Sequence, residues 1–189
     1  MMKILDANAA RRVAWKNKRG WTLELATDAE IPGGDWTWRL SLADVPERAP
    51  FSKFPGVDRL IACLAGPGLD LERAGAVAHV PRAGPALAFT GEENVIGLPQ
   101  GPGVRDVNLM LRRDRRRGRM TLARQTALTL DAPRVVVHVP DGSPALRAIS
   151  ADVVCDLPPG RTLIASGRVD ISAAPGSVAI ACEIEPRST

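Results

Sequence analysis

The feature that most constrains this chain is its rhythm: short runs of alternating apolar and polar residues recur along its length, each closed by glycine or proline. No window of about a dozen residues keeps a helical period free of those two breakers. Trp21–Leu25 and Trp36–Leu42 alternate residue by residue, and Leu60–Leu64 reads as a buried strand closed by Gly66-Pro67-Gly68. Ala76–Val80 and Ala86–Phe89 follow, then Val107–Leu111 and Met120–Arg124, which flank an arginine run and make it a hairpin loop. Arg134–Val139 ends at Pro140-Asp141-Gly142, where proline presets φ and glycine accepts a positive one. Val153–Leu157, Arg161–Ser166 and Ser177–Ile184 complete the series. About ten short strands at close spacing predict an all-β sandwich or barrel. The 189 residues suffice for a well-buried core, and no linker-like composition separates the halves. One compact domain of two β halves, approximately 1–110 and 111–189, is expected.

The formal charge of +4 is local in origin. Residues 112–119 hold six arginines against one aspartate, and the remainder is near neutral. The run lacks interleaved aromatics, so a solvated turn or an oligomer contact is expected rather than a nucleic-acid face; a homodimer stays open. Cys63, Cys155 and Cys182 show no metal-type or redox-type spacing and read as small core residues, with no disulfide framework. The N-terminus lacks the apolar segment of a signal peptide, and Leu60–Ala65 is too short to span a bilayer. A cytoplasmic protein without membrane partners is expected.

Catalytic signatures are absent. The two histidines, His79 and His138, lie on different strands without a paired histidine or carboxylate at ligand spacing, so neither a metal nor a cofactor is expected. No serine sits in a nucleophile elbow, and Gly101-Pro102-Gly103 has neither the spacing nor the following helix of a nucleotide loop.

Binding chemistry concentrates elsewhere. The strand Trp36–Leu42 sets Trp36, Trp38, Leu40 and Leu42 on one face and Thr37, Arg39 and Ser41 on the other. Phe51-Ser52-Lys53-Phe54-Pro55-Gly56 follows as a turn pinned by its aromatics. Arg39, Ser41, Ser52 and Arg59 form a set suited to a carboxylate, because the guanidinium fork matches two oxygens and hydroxyls add orientable bonds. Asn108 adds a donor and an acceptor mid-strand. Two alternatives remain: Arg59 pairs locally with Asp58, or the Trp face lines the interior and Arg39 and Ser41 face solvent.

Trp15-Lys16-Asn17, Trp36-x-Trp38-Arg39-Leu40-Ser41, Phe51-Ser52-x-Phe54-Pro55-Gly56-x-Asp58-Arg59, Phe89-x-Gly91 and Asn108-Leu109-Met110 together resemble the HutD/Ves family, from about Trp15 to Arg113. The resemblance implies a cupin-like double-stranded β-helix of two fused, bicupin-like halves without metal, associated with histidine utilization. It further implies a pocket for a small acid such as formylglutamate or urocanate, with Asn17, Thr22, Arg39, Ser41, Ser52, Phe54, Arg59 and Asn108 as ligand-binding residues. Two departures stand out. Lys18, Arg19 and Trp21 replace a glycine-rich turn, crowding the site or adding charge to it, and Val107 replaces a phenylalanine. The expected function is metal-free binding of a small carboxylate by a cytoplasmic sensor or regulator of histidine or amino-acid catabolism. The alternatives are a metal-independent isomerase or hydrolase, with Asp44, Asp58 and Asp106 as the nearest titratable groups, and an interaction module with a vestigial pocket.

Overall fold

The computed structural model describes residues 2–7, 10–14, 21–124, 126–151 and 153–188. Their regular structure is β, and no α-helix occurs among them, hence none long and apolar enough to cross a membrane. The strands are β1 (Lys3–Asp6), β2 (Arg11–Ala14), β3 (Trp21–Thr27), β4 (Trp38–Asp44), β5 (Ala49–Pro50), β6 (Val57–Ala65), β7 (Gly68–Arg73), β8 (Ala76–Pro81) and β9 (Leu87–Thr90). They continue as β10 (Val95–Pro99), β11 (Arg105–Arg112), β12 (Arg116–Ala123), β13 (Ala127–His138), β14 (Leu146–Ser150), β15 (Val153–Leu157), β16 (Arg161–Ala173) and β17 (Ala179–Pro186). The chain divides into two compact units, Arg11–Arg115 and a second made of Met1–Ala10 with Arg116–Thr189. β1 pairs with β16, so the first residues belong with the C-terminal strands.

The first unit holds a six-stranded antiparallel sheet, β2-β3-β4-β11-β6-β9, and a four-stranded one, β5-β10-β7-β8. Ile61 and Cys63 of β6 and Phe89 of β9 meet Leu69, Leu71, Val80 and Val95 of the smaller sheet in a common core. Each fully buried aliphatic side chain there contributes about 1.5–3 kcal/mol.

The second unit is a sheet in the order β12-β17-β13-β16-β14-β15, with β1 added on β16. Its register slips between Ala132 and Val135 against β16. Pro133 lies inside that slip, where a residue without an N–H is tolerated. Val135, Val137, Leu163, Ala165 and Val169 are wholly buried in its core.

Two expectations need correction, and one open alternative is decided. The arginine run is not a hairpin tip: β11 pairs with β4 and β6, and β12 pairs with β17. Both edges of β11 are occupied, so no edge is left for β12, and the run instead joins the two units. Trp36 does not share a face with Trp38. It precedes β4 and stands over the Arg39 guanidinium, 5.5 Å from its ring centroid, while Asp28 accepts the Thr37 and Trp38 amides and starts the strand at Trp38. Arg59 does not pair with its neighbour, since adjacent strand residues face opposite ways; Asp58 accepts from Arg113 Nε at 2.6 Å. Weak alternation also hid β1, β2, β7, β10 and β14, which contain glycine, proline or exposed charge.

Candidate functional site

A cavity of about 160 Å³ opens within the first unit, lined by residues of β2, β3, β4, β6 and β11 and of one loop. β4 supplies Arg39, Ser41 and Ala43, β11 supplies Asp106, Asn108 and Met110, and β6 supplies Arg59. The register explains the convergence: Arg39 lies opposite Met110, Ser41 opposite Asn108 and Ala43 opposite Asp106, and Met110 faces Arg59 on its other side. Cross-strand partners share a face. The alternate residues Trp38, Leu40, Leu42, Leu109 and Leu111 are buried on the reverse face, so the polar face of the Trp-bearing strand is the one that lines the cavity. A register shift at Arg105/Asp106 against β6 falls at the last of these positions, and such bulges re-aim side chains.

The loop before β6 adds Phe51, Ser52 and Phe54. Its backbone is held at both ends, with the Phe51 amide donating to Val95 and the Phe54 amide to Gly91. Gly91 is required by close approach, because a Cβ there would lie 2.2 Å from the Phe54 carbonyl oxygen. Glu92 accepts from the Gly56 amide at 2.6 Å, and Arg113 holds Glu92 in turn. The Arg113 partnership keeps the Glu92 carboxyl at about 2, well below the ordinary range.

Two guanidinium groups dominate the site. Arg59 is 6% exposed and stacked among Phe89, Phe51 and Phe54, with its Cζ 4.9, 5.1 and 5.8 Å from the ring centroids. Its Nη1 donates to the Ser52 carbonyl at 3.3 Å, and its Nε is buried without a partner. Arg39, stacked between Trp36 and Phe54, donates from Nη2 to the weak acceptor Met110 Sδ, and its Nε is likewise unpartnered. Burial lowers both pKa values, Arg59 to about 10 with Asp106 opposing the shift and Arg39 adding to it. Both remain cations at neutral pH.

Asp106 is fully enclosed, and burial raises its carboxyl to about 7, opposed by Arg59 and aided by Asp44. No hydrogen bond joins it to Arg59. Among the described residues, the Oδ1 atoms of Asp106 and Asn108 are both buried without a partner. Leaving such groups unsatisfied costs about 1–3 kcal/mol each. The residues that line the cavity therefore hold unpaired donors and unpaired acceptors at once, beside aromatic walls.

Of the residues expected from sequence, Thr22, Arg39, Ser41, Ser52, Phe54, Arg59 and Asn108 all line this cavity. Asn17, with Trp15, Lys16, Lys18 and Arg19, lies outside the described residues. Asp44 and Asp58 sit apart from the cavity, paired with Arg105 and Arg113. Phe51 and Met110 escaped the sequence reading as site residues, although both belong to motifs it singled out. Val13, Ala14 and Ala43 carried no signal of their own.

His79 Nδ1 donates to Asp70 Oδ1 at 2.7 Å on an exposed surface, and His138 bonds Thr162 Oγ1 at 2.9 Å in a buried setting that lowers its pKa to about 4. Neither lines the cavity. Among the described residues no group of three His, Cys, Asp or Glu side chains converges. Two guanidinium groups against one carboxylate also repel a cation from the cavity, so its donor set does not fit a metal.

A family model described as HutD matches residues 7–180, well beyond the Trp15–Arg113 span visible by motif. A crystal structure of a protein of unknown function from Pseudomonas aeruginosa PAO1 superposes with a TM-score of 0.87 at 28% identity, covering 98% of this chain and 99% of that one. HutD from Pseudomonas fluorescens SBW25, solved in a formate condition, gives 0.79 at 25% identity with complete coverage of both. Protein Ves of Citrobacter koseri is 33% identical over 143 residues, 75% of this chain and 74% of that protein. An uncharacterized 21.2 kDa protein in the hutC 3′ region of Pseudomonas putida is 39% identical over 70 residues, only 37% of either chain. The cupin barrel domain protein of Leptotrichia buccalis, at 10% identity and a TM-score of 0.56 over 98% and 96% of the two chains, shows the fold alone.

Proposed function

The chain belongs to the HutD family, with a cupin-like all-β fold, and on that premise we propose that its cavity binds a small carboxylate and that the protein acts in the cytoplasm as a sensor or regulator of histidine or amino-acid catabolism. One observation carries this reading: two enclosed guanidinium groups, Arg39 and Arg59, each keep a buried N–H without an acceptor. A carboxylate supplies two acceptor oxygens and a compensating charge. Aromatic faces hold both forks in place, so little side-chain freedom remains to be lost on binding. The names of the Pseudomonas relatives connect the family with histidine utilization, which suits formylglutamate- or urocanate-like acids.

The test is a thermal-shift and calorimetric series with urocanate, N-formylglutamate, formiminoglutamate and glutamate, with chelator present. A ligand at about 100-fold its Kd adds about 2.7 kcal/mol of stability. Stabilisation by one acid that is lost in Arg59→Met supports the proposal, and silence with every acid overturns it.

A second reading rests on Asp106. A carboxyl at about 7 beside a cation suits a general acid or base, as a metal-independent isomerase or hydrolase needs. Turnover of a bound acid that disappears in Asp106→Asn supports this reading; binding without turnover leaves the sensor.

A further inference from the structure

We propose that Asp106, together with Asn108, forms an acceptor subsite that selects, among carboxylates, those carrying a neutral N–H donor. The inference rests on the carboxylate reading above and concerns the opposite polarity of the same cavity. Asp106 and Asn108 are 3% and 7% exposed, and an Oδ1 of each is enclosed without a hydrogen-bond donor. They stand two positions apart on β11 and so share the face that lines the cavity. Their neighbours on β4 are Ala43, which has no side-chain donor, and Ser41, whose hydroxyl makes no hydrogen bond to Asn108 Oδ1. Among the described residues no side chain donates to either Oδ1: Arg59 Nη1 reaches Ser52, Arg39 Nη2 reaches Met110, and Cys63 Sγ, opposite Asp106 on β6, reaches the Ala65 carbonyl.

A carboxylate alone satisfies the guanidinium side and leaves these acceptors bare. A ligand that also brings an N–H satisfies both. Either protonation state of Asp106 keeps an acceptor oxygen, so the selection does not depend on its titration. Charge then narrows the class. With Asp106 ionised, Arg39 and Arg59 are balanced by Asp106 and one ligand carboxylate; with Asp106 protonated, they are balanced by two ligand carboxylates. An acid with an uncharged amide or azole N–H, carrying one carboxylate or two, therefore leaves the enclosed site neutral in one of the two states. An ammonium group on a monoacid would leave a surplus cation in either state, costly out of water.

The experiment uses the full chain and two matched acids, N-acetylglycine and acetoxyacetate, which differ only in N–H against O. Isothermal titration is expected to give the amide at least about tenfold tighter binding, since a site built for a donor rejects the analogue that lacks it. In Asp106→Val that preference is expected to collapse to about twofold or less, and Asn108→Leu gives a second route should the first variant fail to fold. Equal affinity of the two acids for the unaltered protein overturns the acceptor subsite while the carboxylate reading stands. If neither acid binds and the carboxylate series above is also silent, the carboxylate reading itself falls and the subsite with it. If the series binds but this pair does not, N-formylglutamate, with its neutral amide N–H, is expected to bind more tightly than glutarate, which lacks one; the reverse ranking overturns the subsite.

Discussion

In the second unit the interior positions of β13 and β16 carry Val135, Val137, Leu163, Ala165 and Val169, all wholly buried. In the first unit the wall formed by β4, β6 and β11 carries Arg39, Ser41, Arg59, Asp106 and Asn108, several with enclosed atoms that none of the described residues satisfies. Both units are antiparallel β structures with apolar clusters, so strand pairing does not separate them. What separates them is the treatment of the interior. An apolar interior gains from every group removed from water, whereas a polar one costs until something completes its hydrogen bonds. Proteins keep such uncompensated groups where they bind or react, and the proposed function is placed in the first unit for that reason.

The largest expected effect tests the purely structural interior. Leu163→Ala, at a wholly buried position, should cost about 2–5 kcal/mol in denaturant unfolding and leave carboxylate affinity unchanged. A matching loss of affinity would mean that the cavity depends on the second unit's core. Next comes the converse: Arg59→Met should lower carboxylate affinity by about 100-fold, or about 2.7 kcal/mol, while the stability of the unliganded protein changes far less. An unfolded or strongly destabilised variant would make Arg59 a structural residue instead.

Smaller effects follow from pH, with opposite signs in the two units. Asp106 is raised from 3.8 to about 7, so its contribution is fully present below the lower value and is lost as pH rises through the upper one. Asp106→Asn should therefore gain stability relative to the unaltered protein between about pH 5 and about pH 8, by about 1–3 kcal/mol. His138 is lowered from 6.5 to about 4, so its contribution is present above the upper value and is lost as pH falls through the lower one. His138→Gln should reduce the acid sensitivity over that window; an unchanged acid limb removes His138 from the account. The smallest effect is the control. Arg48→Ala breaks an exposed pair with Glu72 and should change stability by about 0.5 kcal/mol or less, with no effect on binding.

The all-β class was legible because a period of two survives along nearly every long run, and glycine and proline mark the turns. Arg39, Ser41, Ser52, Arg59 and Asn108 were legible as a set because polar groups interrupt otherwise apolar or aromatic segments. Asp106 was legible only as a titratable neighbour, since nothing local tells a buried aspartate from the exposed Asp44. The arginine run misled for a related reason. Flanking strands usually pair, and the sequence holds no sign that both edges of β11 are taken.

The sequence by itself determined the all-β class, the strongly alternating strands and the residue types available to a site, because these follow from local alternation and backbone permissiveness. Tertiary structure alone decided which face of Trp38–Asp44 turns inward, that Trp36 caps Arg39, and that Asp106 joins Arg59 in one enclosure. Those outcomes depend on register between segments distant in the chain, and a slip of one residue would send every one of these side chains to the other face.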